Sequence, residues 1–176
     1  MRNKRVLSLL FIVLPLVAYL LALNTSCSTI ECPVQNKVAL NFAVRTYDSS
    51  GAEVTDTLND TLYVWSERKN GTDTLILNRA VGVTSFSLPL SYSHPEDVLV
   101  FATIAYDGSD FTLDTVWIQK EDIPHFESVD CSPCFFHTIT EVSYTSHLLE
   151  DISIAKTTVD YDTDHTHIYL YFRSDD

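Results

Sequence analysis

Beyond residue 37 the apolar side chains recur at every second position, and no segment sustains a helical period. A period of two places alternate side chains on opposite faces of a pleated strand. Residues 38–47 alternate Val38, Leu40, Phe42 and Val44, and residues 84–90 alternate Phe86, Leu88 and Leu90. Pro89 lacks a donor, which places that strand at a sheet edge. Residues 97–106 are apolar on both faces, through Val98, Val100, Ile104 and Leu99, Phe101, as expected of a central strand. Asp107-Gly108-Ser109-Asp110 turns the chain into a strand over 111–119 carrying Phe111, Leu113 and Trp117. Residues 135–144, 151–158 and 165–173 supply three more, the last with Thr166, Ile168, Leu170 and Phe172 inward and His165, His167, Tyr169 and Tyr171 outward.

The sharpest local signal is a hairpin. Residues 61–68 and 73–79 flank Lys69-Asn70-Gly71-Thr72, and Asn-Gly is the preferred pair of a two-residue type I′ turn. That turn pairs Arg68 with Asp73, Ser66 with Leu75 and Val64 with Leu77. Leu62, Val64, Leu75 and Leu77 then share one face, and Tyr63, Trp65 and Ile76 the other. Seven to nine short strands in about 135 residues predict an all-β fold, a single immunoglobulin-like β-sandwich of antiparallel strands over residues 38–176. A small barrel is the alternative.

The N-terminus predicts the compartment. Three cations in residues 1–5 precede Val6–Leu23, a run without charge. This is the pattern of a secretory leader. The run is also long enough to span a bilayer, but Pro15 and the small-residue exit Asn24-Thr25-Ser26 favour processing. Cys27 follows directly. Thr25-Ser26-Cys27 resembles a bacterial lipobox, in which the cysteine thiol receives a diacylglycerol. Asn24 departs from the usual Leu there. The expected organisation is a signal peptide over 1–26, a lipid-anchored tether over 27–37 and the sandwich over 38–176. Two or more acyl chains anchor a domain stably.

All 24 acidic residues lie beyond Cys27, against 11 − 3 = 8 basic ones, so the processed chain has a net charge of 8 − 24 = −16. Such a field repels nucleic acid and anionic headgroups, and no nucleic-acid partner is expected. In an exported chain disulfides are permitted. Cys32 to Cys131 or Cys134 would close a loop of about 100 residues, worth roughly 3–5 kcal/mol in the chain-entropy model. A local Cys131–Cys134 bridge is the other pairing.

Several constellations bear on chemistry. Cys131-Ser132-Pro133-Cys134 has redox spacing but lacks a βαβ context. Cys131, Cys134 and His137 are soft metal ligands, with a fourth to come from His125, His147 or the His165/His167 pair; paired thiols would compete. Asp160-Tyr161-Asp162-Thr163-Asp164 begins like a calcium loop, but His165 and Tyr171 stand where an EF-hand needs Gly and Glu. A solvated acidic loop is the plainer reading. Tyr63, Trp65, Tyr169 and Tyr171 offer aromatic surface for a sugar or protein partner, or packing under a neighbouring layer. None of the usual catalytic motifs occurs, so no catalytic residue and no cofactor is expected.

The stretches Cys27-Ser28-Thr29-Ile30-Glu31-Cys32-Pro33, Ser85-Phe86-Ser87-Leu88-Pro89-Leu90-Ser91-Tyr92 with Pro95-Glu96-Asp97, and Pro124-His125-Phe126-Glu127-Ser128-Val129-Asp130-Cys131-Ser132-Pro133 running into Phe135-Phe136-His137-Thr138 together resemble an uncharacterised family of Bacteroidota envelope lipoproteins. The resemblance implies a lipid-anchored envelope domain with no assigned activity. It also implies a Cys32–Cys131 bridge, Ser being common in the family where this chain has Cys134. Surface-exposed lipoproteins of that group often carry an acidic run after the lipid cysteine. Ser28-Thr29-Ile30 is not one, which favours an outer-membrane protein facing the periplasm. The expected function is non-enzymatic, a binding or assembly-support module for another envelope component. A redox or metal-handling module at Cys131/Cys134/His137 and a glycan- or calcium-assisted binder are the alternatives.

Overall fold

The computed structural model describes residues 38–67, 72–126, 128 and 131–173. The chain divides into Met1–Cys32 and Pro33–Asp176; the first, with the expected signal segment, Cys27 and Cys32, lies outside the described residues. Among the described residues there is no helix, and eleven strands form two sheets. The expected β-sandwich is what forms, with more strands than the seven to nine read from the turn spacing.

The first sheet is centred on β1 (Leu40–Tyr47). β5 (Ser85–Leu88) and β2 (Glu53–Thr55) share one of its edges, and β11 (Ile168–Phe172) then β9 (Leu149–Ile154) extend the other. β1 and β11 run parallel, Phe42 opposite Ile168 and Val44 opposite Leu170. The second sheet is an antiparallel run ordered β10 (Thr158–Val159), β8 (Cys134–Tyr144), β7 (Phe111–His125), β6 (Glu96–Ile104), β3 (Thr61–Glu67) and β4 (Thr74–Ala80). The inner faces interdigitate: Leu40, Phe42 and Val44 of β1 and Ile168 and Leu170 of β11 bury with Leu62, Val64, Leu99, Phe101, Val116 and Ile118. Burying one such side chain stabilises by about 1.5–3 kcal/mol.

β6 lies between β3 and β7, as its two apolar faces predict, and β5 pairs only with β1, as Pro89 requires. The β3–β4 hairpin keeps the expected Val64–Leu77 pair, but Trp65 faces Leu75 and Ser66 faces Thr74. Register breaks on both sides of Val64 account for the difference. One coincides with Arg79, whose φ of 51° is left-handed. An inserted residue turns the following side chains over. Leu75, expected inside, is therefore exposed, and Ile76 and Leu77 both pack partly against the core. Arg68, Lys69, Asn70 and Gly71 lie outside the described residues.

Candidate functional site

β7 is longer than expected because its far end, to His125, continues to pair with β8 beyond the last β6 contact at Glu96–Gln119. Its inward residues are Asp114, Val116, Ile118 and Lys120, all buried. Phe111 and Leu113, which carried the sequence signal, are exposed. The inner face of this one strand is thus apolar in the middle and ionic at both ends.

At the first end Asp114 gathers the 145–149 loop, which carries the chain from one sheet to the other. Its Oδ1 accepts from the Thr145 hydroxyl (2.8 Å), the His147 amide (2.8 Å) and the His147 ring (3.0 Å). Oδ2 accepts from the amides of Leu148 (2.8 Å) and Leu149 (2.9 Å). Burial pushes this carboxyl up, but the Leu149, His147 and Leu148 amides and the Thr145 hydroxyl outweigh it and hold it below the ordinary range.

At the second end Lys120 is fully enclosed. Its ammonium donates to the carbonyl oxygens of Ser91 and His94, the latter at 2.7 Å, and to Asp122 Oδ1 at 2.8 Å. Asp97 Oδ2 lies 3.5 Å away. Asp122 Oδ1 also takes His137 Nδ1 at 2.6 Å. Asp97 accepts the Ser91 amide, and burial raises its pKa against the opposing charge of Lys120. Two carboxylates, an ammonium and an imidazole thereby pin the 89–95 loop to the sheet.

That loop separates two open clefts. One, of about 490 Å³, is lined by Val38, Leu90, Tyr92, Pro133, Cys134, Phe135 and His137. Tyr92 and Phe135 stack at its mouth, 5.2 Å between centroids, and Tyr92 is 67% exposed. The other, of about 530 Å³, shares Leu90 and Tyr92 but turns toward Glu67, Glu96 and Asp97.

The residues singled out from the sequence are dispersed. Tyr63 and Trp65 stack on the outer face of the six-stranded sheet, 5.8 Å apart. Tyr169 and Tyr171 are on the other sheet. Tyr169 lies under the Arg45 guanidinium (4.9 Å). Tyr171, expected to face solvent, is only 4% exposed beneath Tyr47, whose ring stacks on it at 5.3 Å. The four aromatics therefore make no common platform. Cys134 is a free thiol among the described residues and contacts the Tyr161 hydroxyl at 2.8 Å, so the local Cys131–Cys134 bridge does not form. Cys131 is not a free thiol.

His165 and His167 do not sit side by side on a strand, because β11 begins at Ile168. His165 is exposed and pairs with Asp162 at 2.7 Å. His167, also expected outside, is fully buried, and its Nδ1 accepts the Asn41 amide at 3.0 Å. Burial and the Lys156 charge lower its pKa. In the acidic loop Asp160 caps the Asp162 amide and Asp162 caps that of Asp164. Asp162 is held well below the ordinary range by His165 and Lys156. Among the described residues no group of three or more His, Cys, Asp or Glu side chains is placed to hold a metal ion.

Sequence reasoning missed Lys120, Asp122, Asp97, Tyr92 and Phe135 as a group. The available signal was phase: Lys120 is in register with Val116 and Ile118, and a cation at a core position needs partners. No curated protein matches the chain, and no solved structure matches it. A family model described as a family of unknown function, DUF6452, matches residues 61–172, which span β3 to β11 and both ends of β7, and the chain belongs to that family.

Proposed function

We propose that the chain is a non-enzymatic envelope lipoprotein whose β-sandwich binds another envelope component at the Leu90–Tyr92 loop. The leader, the Cys27 context and the resemblance to envelope lipoproteins support export, acylation at Cys27 and an outer-membrane position facing the periplasm. The free Cys134 thiol and the engaged Cys131 support a Cys32–Cys131 bridge, which would staple the tether to the β7–β8 hairpin.

One observation carries the binding role. The buried ions at the Lys120 end are committed to holding loop 89–95, while the open ground beside them is aromatic and apolar. An exposed aromatic ridge on a loop held by a rigid scaffold is the arrangement of a recognition surface. The test is a photo-crosslinking amino acid at Tyr92, with Tyr106 in the β6–β7 turn as control, followed by capture from intact envelopes. A discrete adduct at position 92 and none at 106 is expected. Equal labelling at both positions, or none, rejects the role. Intact mass of the native protein reports acylation and the number of disulfides together.

A further inference from the structure

Leu90 and Tyr92 form a ridge with a different chemistry on each side. On the apolar side, Asp122 is an acceptor to both Lys120 and His137, which fixes the proton of His137 on Nδ1. In the neutral ring Nε2 then carries a lone pair. His137 lines this cleft, and no described residue bonds its Nε2. The cleft therefore pairs apolar walls, Val38 and Phe135, with an acceptor at His137 Nε2. On the other side Glu67, Glu96 and Asp97 face the second cleft. The cation behind them, Lys120, has no exposed side-chain surface and is already surrounded by four oxygen partners. Among the described residues no Lys or Arg lines this cleft and its open face is negative, within a processed chain of net charge −16 from 8 basic and 24 acidic residues.

We propose that the two clefts form one bipartite site for a basic polypeptide segment of a partner protein, which deepens the binding role proposed above and rests on it. An apolar side chain of the segment packs between Phe135 and Val38 beside Tyr92. A donor next to it, a backbone N–H or a hydroxyl, bonds His137 Nε2. A Lys or Arg on the far side of the ridge meets Glu67 and Glu96. Charge complementarity selects this occupant. A neutral saccharide could use the Tyr92 face and the same acceptor but would gain nothing from the carboxylates.

The test uses the full processed protein in detergent and fluorescence anisotropy with three probes. These are labelled heptapeptides carrying Trp or Leu two to four residues from Lys or Arg, the same peptides with Glu for the cations, and competing cello- and chito-oligosaccharides. The basic peptides are expected to bind, weakening about tenfold between low and moderate salt. The acidic set should not bind. Glu67→Gln with Glu96→Gln should lose about tenfold and flatten the salt dependence, whereas Tyr92→Ala should lose about as much and keep it. Tyr106→Ala should change nothing. Absence of peptide binding, equal binding of acidic and basic sets, or salt-independent binding displaced by the oligosaccharides overturns the proposal. A Tyr92 adduct in envelopes without peptide binding would leave the binding role standing and remove this occupant.

Discussion

The two ends of the inner face of β7 solve the same problem differently. Each places charge where the strand phase demands a buried side chain. At Asp114 one carboxylate is saturated by five donors, four of them amides or hydroxyl from neighbouring residues of a single loop, so the site is closed. At Lys120 the charges partner each other, and two clefts open beside them. Both ends fasten a loop. The second places an aromatic ridge between those clefts, which is why recognition is proposed there.

The largest effect should come from the closed end. Asp114→Ala leaves three backbone amides and a hydroxyl without their acceptor, the Leu149 amide fully buried. A loss of about 3–5 kcal/mol in urea unfolding is expected. Asp114→Asn should be nearly as damaging, because its amide group would face donors. Lys120→Met should cost about 2–4 kcal/mol, less than removal of an ion from a sealed pair, because water from the clefts can reach the stranded carboxylates. Adding Asp97→Asn to Lys120→Met should recover part of it. If Lys120→Met proves costlier than Asp114→Ala, the contrast between open and closed ends fails.

Acid sharpens the contrast because the two carboxyls carry opposite signs. Asp114, lowered when folded, contributes stability that is full above its unfolded value near 4 and is lost as pH falls through the folded value. Asp97, raised when folded, contributes stability that is full below the unfolded value and is lost as pH rises through the folded one. Unfolding midpoints followed from pH 2 to 6 should show the acid-side loss vanish in Asp114→Asn and the alkaline-side loss vanish in Asp97→Asn. Parallel curves for the two variants would remove the distinction.

The layers were legible and the ends were not. Alternation located β1, β5 and β11, because a one-residue slip would expose Leu40, Phe42 or Leu170, and the run apolar on both faces located β6. Leu75 is turned out by the register break between Val64–Leu77 and Trp65–Leu75, a backbone irregularity that no side-chain pattern marks. On β7 the large side chains Phe111 and Leu113 drew attention to the solvent phase, while Asp114 and Lys120 disguised the buried one. His167 misled for the same reason: a polar side chain was assigned to solvent, and its partner, the Asn41 amide, is 126 residues away. Long-range partners that make a buried polar group affordable are invisible to local pattern. Tyr92 lies in a loop between strands, where no periodic pattern marks an exposed aromatic ring.

The smallest expected effect on stability belongs to the ridge itself. Tyr92 is 67% exposed, and its one described ring contact is the stack on Phe135. An exposed offset stack contributes about 0.5–1.5 kcal/mol beyond area burial at most, and surface substitutions ordinarily stay within about 0.5 kcal/mol. Tyr92→Ala should therefore shift the unfolding midpoint barely beyond error. Trp65→Ala, at a half-buried stack on the outer face of the six-stranded sheet, should cost more stability. Binding should reverse that order, with Tyr92→Ala losing the ligand and Trp65→Ala retaining it. A Tyr92→Ala protein that is clearly destabilised would mean the ring holds loop 89–95 in place, and the ridge would join Lys120 and Asp114 as another fastening of the fold.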